Sequence, residues 1–437
     1  MKVTIIGTGY VGLTHGTCLA ELENDVICVD IDINKIEQLK QGIIPIFEPK
    51  LSNLVIKNHR AGRLNFSTDV KSAIDVSDII FIAVGTPPGP DGHADMQYVK
   101  QVAQDIGKYI NKYTIIVTKS TVPVGTGDMI TNIISAGIRY RGMQIDFDVA
   151  SNPEFLREGT AVDDFKNSDR VVIGCNDENG KAVQMLKRLY SPLKNTEILV
   201  TDMYSAELIK YGANSLLAVQ VSFINAISRL CEKLGADVNK VAKGLRLDGR
   251  IGHKAFLTAG PGFGGSCFPK DVMEFAQTFE DNGIPNGILQ ATLDINEQQK
   301  YAIFIKIKRL LDGNLEGKTV SILGLAFKSN TDDIRYSPSI VVINELLKKN
   351  AKIKCYDPKA MNNFKNMYPD LDYCDDMYIA VTDSDCMVVM TDWDEFKQPD
   401  WEKIISLMKR KNVVDARNIY DKSVLINMGF NYIGVGI

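Results

Sequence analysis

Along this chain, short apolar runs of strand length alternate with longer stretches whose apolar residues recur at helical spacing. The first run, "VTIIGTGYVG", is β-branched and leads through Gly7, Gly9 and Gly12 into the helix-compatible "LTHGTCLAELE". "DVICVD", "DIIFIAVGTP" and "TIIVTKSTVP" continue the alternation, which predicts a doubly wound α/β sheet. Near the C-terminus "TVSILGLAF", "KIKCYDP" and "TDSDCMVVMT" repeat the first three strand patterns in the same order, predicting a second sheet from about Gly317 onward. Between the two lies a segment with helical periodicity, no proline and a closing glycine, Gly235. A continuous helix over 205–234 would span about 45 Å at 1.5 Å per residue. A further helical segment, "ILQATLDINEQQKYAIFIKIKRLL", follows it. With 437 residues the chain exceeds one compact core. The patterning divides it into 1–200, 201–312 and 313–437.

The opening glycines have the context that a dinucleotide fingerprint needs, between a strand and a helix. Gly7 permits the tight turn, Gly9 lets backbone approach a pyrophosphate, and Gly12 lets helix pack closely on strand, with the helix N-terminus facing the phosphates. Asp30 ends the second strand, where a carboxylate accepts hydrogen bonds from ribose hydroxyls and repels a 2′-phosphate, so NAD is expected rather than NADP. A solvated acid at a strand end is the plainer reading of Asp30. Thr86 and Thr121 fall beyond carboxyl ends of strands, where ligands bind in such sheets. They could equally start turns before Pro87 and Pro123. The expected architecture is therefore two Rossmann-like doubly wound domains joined by a long central helix, with a helical layer suited to dimerisation. The second sheet's loop keeps Gly324 alone of the three glycines, so no second dinucleotide is expected there, although a nucleotide in another pose stays open.

Composition narrows the classes. With 45% hydrophobic residues, 24% charged residues and a net charge of -4, the chain reads as globular, and its Lys and Arg form no stripe for nucleic acid. No run approaches the roughly 20 apolar residues of a membrane span. The glycine-broken N-terminus does not read as a signal peptide, so a cytoplasmic location is expected. The eight cysteines show no CxxC spacing, and Cys28, Cys355 and Cys386 lie in apolar strand patterns. Neither disulfides nor a metal site is expected.

Against that background "GPGFGGSCFPKD" is unusual, because it places Cys267 in a glycine-dense loop followed by Lys270 and Asp271. An inert cysteine belongs in an apolar core. A loop cysteine near cations such as Lys270 and Lys210 suits a thiolate nucleophile. In "SNPEFLREGTAVDDF" Glu154 and Glu158 are four apart and would share a face if the segment turned helically. Lys210 and Asn214 repeat that spacing on the long helix. For both pairs the plainer reading is a solvated face. The histidines offer no competing triad: His15 lies in the first helix, His59 and His93 in polar loops, and His253 after Gly252. A thiolate beside an NAD domain can trap an aldehyde as a thiohemiacetal, pass hydride to NAD and leave a thioester for water.

"GTGYVG", "STVPVGT", "SNPEFLREGTAVDDF", "ELIKYGANSLLA", "GFGGSCFPKD" and "GLAFKSNTDDIRYSPS" together resemble, in order, the motifs of the UDP-glucose/GDP-mannose dehydrogenase family, over nearly the whole chain. The resemblance implies a two-fold, NAD-dependent oxidation of UDP-glucose at C6 to UDP-glucuronate by a homodimer with a UDP-holding C-terminal domain. Carried over by motif, Cys267 resembles the nucleophile, with Lys210 and Asn214 holding the substrate oxygen and Asp271 positioning water. Thr121, Glu154 and Glu158 would order water for thioester hydrolysis, either carboxylate serving as base. The resemblance places NAD on Val11, Asp30, Lys35, Thr86, Thr121, Glu158, Lys270 and Arg335, besides the fingerprint glycines. It places the nucleotide sugar on Glu154, Phe155, Leu156, Arg157 and Glu158, on Lys210 and Asn214, on Phe256, Leu257, Thr258, Ala259 and Gly260, and on Gly264 and Lys328. Arg250 would reach across the dimer. Rival readings are a GDP-mannose enzyme, an enzyme of N-acetylated UDP-sugars, and a non-catalytic nucleotide-binding scaffold. Ser266, where relatives acting on N-acetylated sugars tend to carry histidine, argues against the second; retention of Cys267, Lys210 and Asp271 argues against the third.

Overall fold

The computed structural model describes residues 1–89 and 92–437. The chain divides into two compact units, Met1–Ala213 and Asn214–Ile437. In the first, β1 (Lys2–Ile6), β2 (Asp25–Val29), β3 (Leu64–Ser67), β4 (Ile79–Ile82), β5 (Thr114–Thr118), β6 (Phe147–Ser151), β7 (Arg170–Cys175) and β8 (Glu197–Thr201) form one sheet. Its order is β3-β2-β1-β4-β5-β6-β7-β8, parallel throughout except where β6 meets β7. Helices cover both faces, which is why β4 and β5 are buried along their length rather than alternately. Val3, Ile5, Leu13, Leu19 and Val26 pack on one side and Ile80, Ile82, Val102, Ile106 and Ile134 on the other.

The second unit carries a sheet of β9 (Thr319–Leu323), β10 (Lys352–Tyr356), β11 (Asp372–Tyr373), β12 (Cys386–Val389), β13 (Asn412–Asp415) and β14 (Asn431–Ile433). Its order, β11-β10-β9-β12-β13-β14, repeats that of the first six strands of the other sheet, and every pairing is parallel. The repetition extends to register. Ile6 pairs with Val29 and Leu323 with Tyr356, and the next residue in each case, Gly7 or Gly324, turns at a φ of 102°. The echo between the two halves of the sequence is thus a structural repeat.

The long helix runs over Met203–Leu234, two residues earlier than its periodicity predicts. Asp202 accounts for the earlier start, accepting hydrogen bonds from the Ser205 backbone at 2.8 Å and hydroxyl at 2.6 Å. Helices Val238–Leu247, Phe268–Asp281 and Gly287–Leu310 precede the second sheet. Among the described residues no helix is long and apolar enough to cross a membrane, and no cluster of His, Cys, Asp and Glu could hold a metal.

Candidate active site

In the first unit the fingerprint loop has the fit a pyrophosphate requires. A Cβ on Gly12 would lie 1.9 Å from the Gly7 carbonyl oxygen, and one on Gly7 2.6 Å from that of Ala83, so both positions are closed to side chains. Gly9 caps helix Tyr10–Glu21 without a side-chain bond, and a Cβ there meets nothing within 4 Å. The helix N-terminus thus carries no side-chain cap and has open space beside Gly9, as a phosphate site needs. Val11 sits in that first turn. Asp30 follows β2, and its Oδ2 accepts from the Thr8 amide at 2.9 Å, the Thr8 hydroxyl at 2.6 Å and Lys35 Nζ at 3.1 Å. Burial pushes this carboxyl up, but those bonds outweigh it and hold its pKa below the usual range. Thr86 and Thr121 come together, the Thr86 hydroxyl donating to the Thr121 carbonyl at 2.9 Å.

The segment 152–157 is not helical, which corrects the expected shared face of Glu154 and Glu158. Two carboxylates draw its amides away from an i→i−4 ladder. Glu154 Oε2 accepts from the Leu156 amide at 2.6 Å, and Glu48 accepts from the Gly159 and Ala161 amides at 2.6 and 2.8 Å. Both glutamates are nonetheless buried rather than solvated. Glu154 Oε1 takes a 2.8 Å bond from Lys210 Nζ, with each side chain 4% exposed. Phe155 lies beside this pair, with the Lys210 amine 5.4 Å from its ring centroid and the Arg170 guanidinium 4.0 Å away on the same ring. Leu156 packs on the core of this unit, whereas Arg157 turns outward to Asp164 at 2.6 Å.

In the second unit Cys267 caps helix Phe268–Asp281, with Pro269 in the first turn. The other seven cysteines are buried; Cys267 is partly exposed. Burial pushes the Cys28 thiol up to about 12, whereas Cys267 is set apart by its place at a helix N-terminus. The loop before it needs glycine: a Cβ on Gly264 would meet the Tyr336 carbonyl oxygen at 2.4 Å, and one on Gly265, at a φ of +83°, the Phe327 ring at 2.8 Å. Ser266 Oγ lies 3.5 Å from the sulfur. One turn into the helix Asp271 is fully buried, its Oδ2 bonded by Asn214 Nδ2 at 2.6 Å and its Oδ1 by Lys270 Nζ at 2.5 Å. Lys270, expected at the cofactor, thus pairs with this carboxylate.

Of the expected sugar-binding stretch, Leu257 and Ala259 are buried and Phe256 is exposed. Thr258 accepts from Arg246 at 3.0 Å, and Gly260 is held between Asn225 Oδ1 at 2.9 Å and Gln299 Nε2 at 2.8 Å. Lys328 lies over the Phe327 ring. Arg335 pairs with Asp333 at 2.8 Å and lends its carbonyl to the Gly265 amide at 2.8 Å. Arg250 is exposed beside Asp248.

Sequence reading passed over several residues. Tyr10 and Glu48 are hydrogen-bonded and knit the fingerprint loop to the Glu158–Gly159 turn. Burial and the Glu48 charge raise the tyrosine pKa strongly. Glu207 receives the Gly125 and Gly127 amides at 2.7 and 3.1 Å, capping helix Thr126–Tyr140 from another element, and burial raises its carboxyl to about 7. Lys119, directly after β5, is buried and donates to Asn152, directly after β6. Its signal was a charge at the end of an apolar strand.

Three profile models match this chain: the NAD binding domain of the UDP-glucose/GDP-mannose dehydrogenase family over residues 1–194, its central domain over 204–298 and its UDP binding domain over 321–422. The chain is 46% identical to the UDP-glucose 6-dehydrogenase of Rhizobium meliloti, covering all of this chain and 99% of that protein. It is 45% identical to one from Bacillus subtilis, covering all of this chain and 93% of the other. The solved UDP-glucose dehydrogenase of Pyrobaculum islandicum superposes with a TM-score of 0.90 at 36% identity, covering 99% of this chain and 97% of that one. The chain belongs to the UDP-glucose/GDP-mannose dehydrogenase family.

Proposed function

We propose that this protein is a UDP-glucose 6-dehydrogenase that converts UDP-glucose to UDP-glucuronate, consuming two NAD and one water. The observation that carries the reading is Cys267, partly exposed at a helix N-terminus while the other seven cysteines are buried. Bound NAD supplies the hydride acceptor, and the Gly7–Gly12 loop and Asp30 hold it.

The C6 alcohol first loses a hydride from carbon and a proton from oxygen, giving an aldehyde. The Cys267 thiolate then adds to the carbonyl carbon, and Lys210 and Asn214 hold the oxygen of the thiohemiacetal, where negative charge develops. Loss of a second hydride leaves a thioester on sulfur. Water attacks the acyl carbon, one of its protons passes to a carboxylate, the C–S bond breaks, and the electron pair leaves on Cys267. Asp271, fixed by Asn214 and Lys270, and Thr121, Glu154 and Glu158 order water for this last step. The second Rossmann-like sheet would hold the UDP moiety, with the 256–260 stretch, Gly264 and Lys328 lining the sugar side. Arg335 would serve NAD, and Arg250 would serve the neighbouring subunit's substrate.

A homodimer fits this reading, since Leu216, Phe223 and Leu230 are exposed on the long helix at intervals of seven residues, an apolar stripe suited to a second copy. A cytoplasmic location fits the buried, unpaired cysteines. NADH formation with a panel of nucleotide sugars, and the identity of the product, test the proposal. Faster turnover of GDP-mannose, or UDP-glucuronate made undiminished by Cys267→Ala, overturns it.

A further inference from the structure

Directly after β5 stands a lysine that the proposed mechanism does not use. Lys119 is 6% exposed, and its Nζ donates to Oδ1 of Asn152, the residue directly after β6, at 3.0 Å. The Asn152 amide is held on its other sides as well. Its Nδ2 donates to the Val172 carbonyl at 2.7 Å, and its Oδ1 also accepts from the Tyr190 hydroxyl at 2.5 Å. That hydroxyl lies 3.3 Å from Nε2 of buried His15. Four titratable groups face Lys119: Glu154, Lys210 on the long helix, Tyr190 on helix Lys181–Tyr190 and His15 on helix Tyr10–Glu21. Burial lowers its ammonium to about 7; the Glu154 charge opposes the shift and the Lys210 charge adds to it.

A lysine is a costly choice for this position if packing is all that is needed. Taking an ammonium out of water costs several kcal/mol, and a methionine fills similar space without that penalty. What the amine adds is a hydrogen bond to the one side chain that starts the Asn152–Glu158 segment. From Asn152 the chain passes through Pro153, whose ring fixes φ, directly to Glu154. The Asn152 amide is itself tied to the Thr118 carbonyl at 2.9 Å, so backbone and side chain of this residue are both anchored on β5 and its following residue. The orientation of Glu154 against Lys210 is thereby set two residues upstream.

We propose that Lys119 is a positioning residue for the hydrolytic half of the reaction, acting through Asn152 to hold the Glu154 carboxylate in the orientation from which it takes a proton from the attacking water. The inference rests on the proposed function and takes Glu154, one of its two candidate bases, as the proton acceptor. In the step concerned, water oxygen bonds to the acyl carbon, its proton passes to Glu154, the C–S bond breaks and sulfur leaves with the electron pair. Hydride removal does not depend on that proton transfer. Loss of Lys119 therefore slows the final step and spares the earlier ones.

The test is Lys119→Met in the full-length protein, mixed rapidly with NAD and UDP-glucose. The expected result is a preserved rapid burst of NADH, a steady-state rate lower by about tenfold or more, and intact-protein mass spectra of the quenched enzyme showing a uronyl adduct that builds up on Cys267. Lys119→Gln keeps a donor toward Asn152 and should recover much of the lost rate. Unchanged turnover in Lys119→Met, equal slowing of burst and steady state, or a Lys119→Gln variant as impaired as Lys119→Met would each overturn the inference. Should Lys119→Met fail to fold, as judged by circular dichroism, Lys119→Gln decides alone: an unaltered burst with faint adduct supports the inference, and a slowed burst refutes it. None of these outcomes touches the assignment of Cys267 as nucleophile, which Cys267→Ala tests separately.

Discussion

Gly9 and Gly12 sit three residues apart, one capping helix Tyr10–Glu21 and one in its first turn, yet alanine at each should do opposite things. A Cβ on Gly9 meets nothing within 4 Å, and the backbone there, φ −69° and ψ −171°, is open to any residue. Alanine is a poorer N-cap than glycine by roughly 0.5–1 kcal/mol. It also restricts the unfolded chain, which returns about 0.4–1 kcal/mol. The net effect on stability is close to zero. At Gly12 the Cβ lies 1.9 Å from a backbone oxygen and 3.1 Å from the Ala83 Cβ, so helix and strand must separate, at a cost of about 3 kcal/mol. The first unit spans residues 1–213, so at roughly 2.1 cal/mol/K per residue its unfolding entropy is about 0.45 kcal/mol/K, and 3 kcal/mol lowers its midpoint by about 6–7 °C. Calorimetry should therefore find Gly9→Ala within about 1 °C of wild type. NAD titration should find its affinity reduced at least about 100-fold, or 2.8 kcal/mol, because the methyl group occupies the space that the pyrophosphate needs. A Gly9→Ala protein that binds NAD normally, or that melts as early as Gly12→Ala, refutes this account of the loop.

A small alkylating reagent applied to the folded protein should modify Cys267 first, because the other cysteines are buried; peptide mapping that finds another site faster contradicts this. Asp357→Asn should lower the stability of the second unit by about 2–3 kcal/mol, since an amide cannot accept all the donors that converge on that carboxylate, and a midpoint shift below 1 °C would show the network to be dispensable. Glu207 makes stability depend on pH. Burial raises its folded pKa to about 7 from 4.5, the ordinary value that the unfolded chain keeps, so between those values the folded state holds more proton than the unfolded one and stability falls as pH rises. The melting advantage of wild type over Glu207→Gln should shrink from pH 5 to pH 8; an advantage that grows over that range refutes the argument.

Features that depend on neighbours in sequence were open to reading. The strand–glycine–helix entry, Asp30 at the end of β2 and the unbroken helix from 203 to 234 all follow from local periodicity and spacing. So did the contrast between Cys267 and the cysteines in apolar runs, which burial reproduces. The helical turn that would have set Glu154 and Glu158 on one face does not form, because their local conformation is decided from outside the segment. Glu48, 111 residues before Gly159, captures that amide, and no pattern within "SNPEFLREG" reports it. Lys119, Asn152 and Tyr190 converge from β5, β6 and a helix nearly forty residues later for the same reason. Buried polar networks are assembled by topology, and spacing reveals only members that share an element.

The repeated sheet shows how one topology serves two tasks. Just after β2, Asp30 is partly exposed and its bonds come from Thr8, Asp32 and the Lys35 side chain, so the carboxylate stands beside the glycine loop. Asp357 stands at the matching place after β10 but is fully buried. It accepts the Leu325, Ala326, Lys359 and Ala360 amides and the Trp393 indole, which leaves it no reach toward a ribose. The loop it stabilises carries Leu325 and Ala326 where a dinucleotide loop would have residues leading to open glycine backbone, and a Cβ on Gly324 would strike the Thr391 hydroxyl oxygen at 2.1 Å. The same acid at the same strand end is a partly exposed group beside the glycine loop in one copy and an internal brace in the other. What separates them is how many donors converge: Asp30 accepts the Thr8 and Asp32 amides and stays partly exposed, whereas four amides and an indole close Asp357 off from solvent.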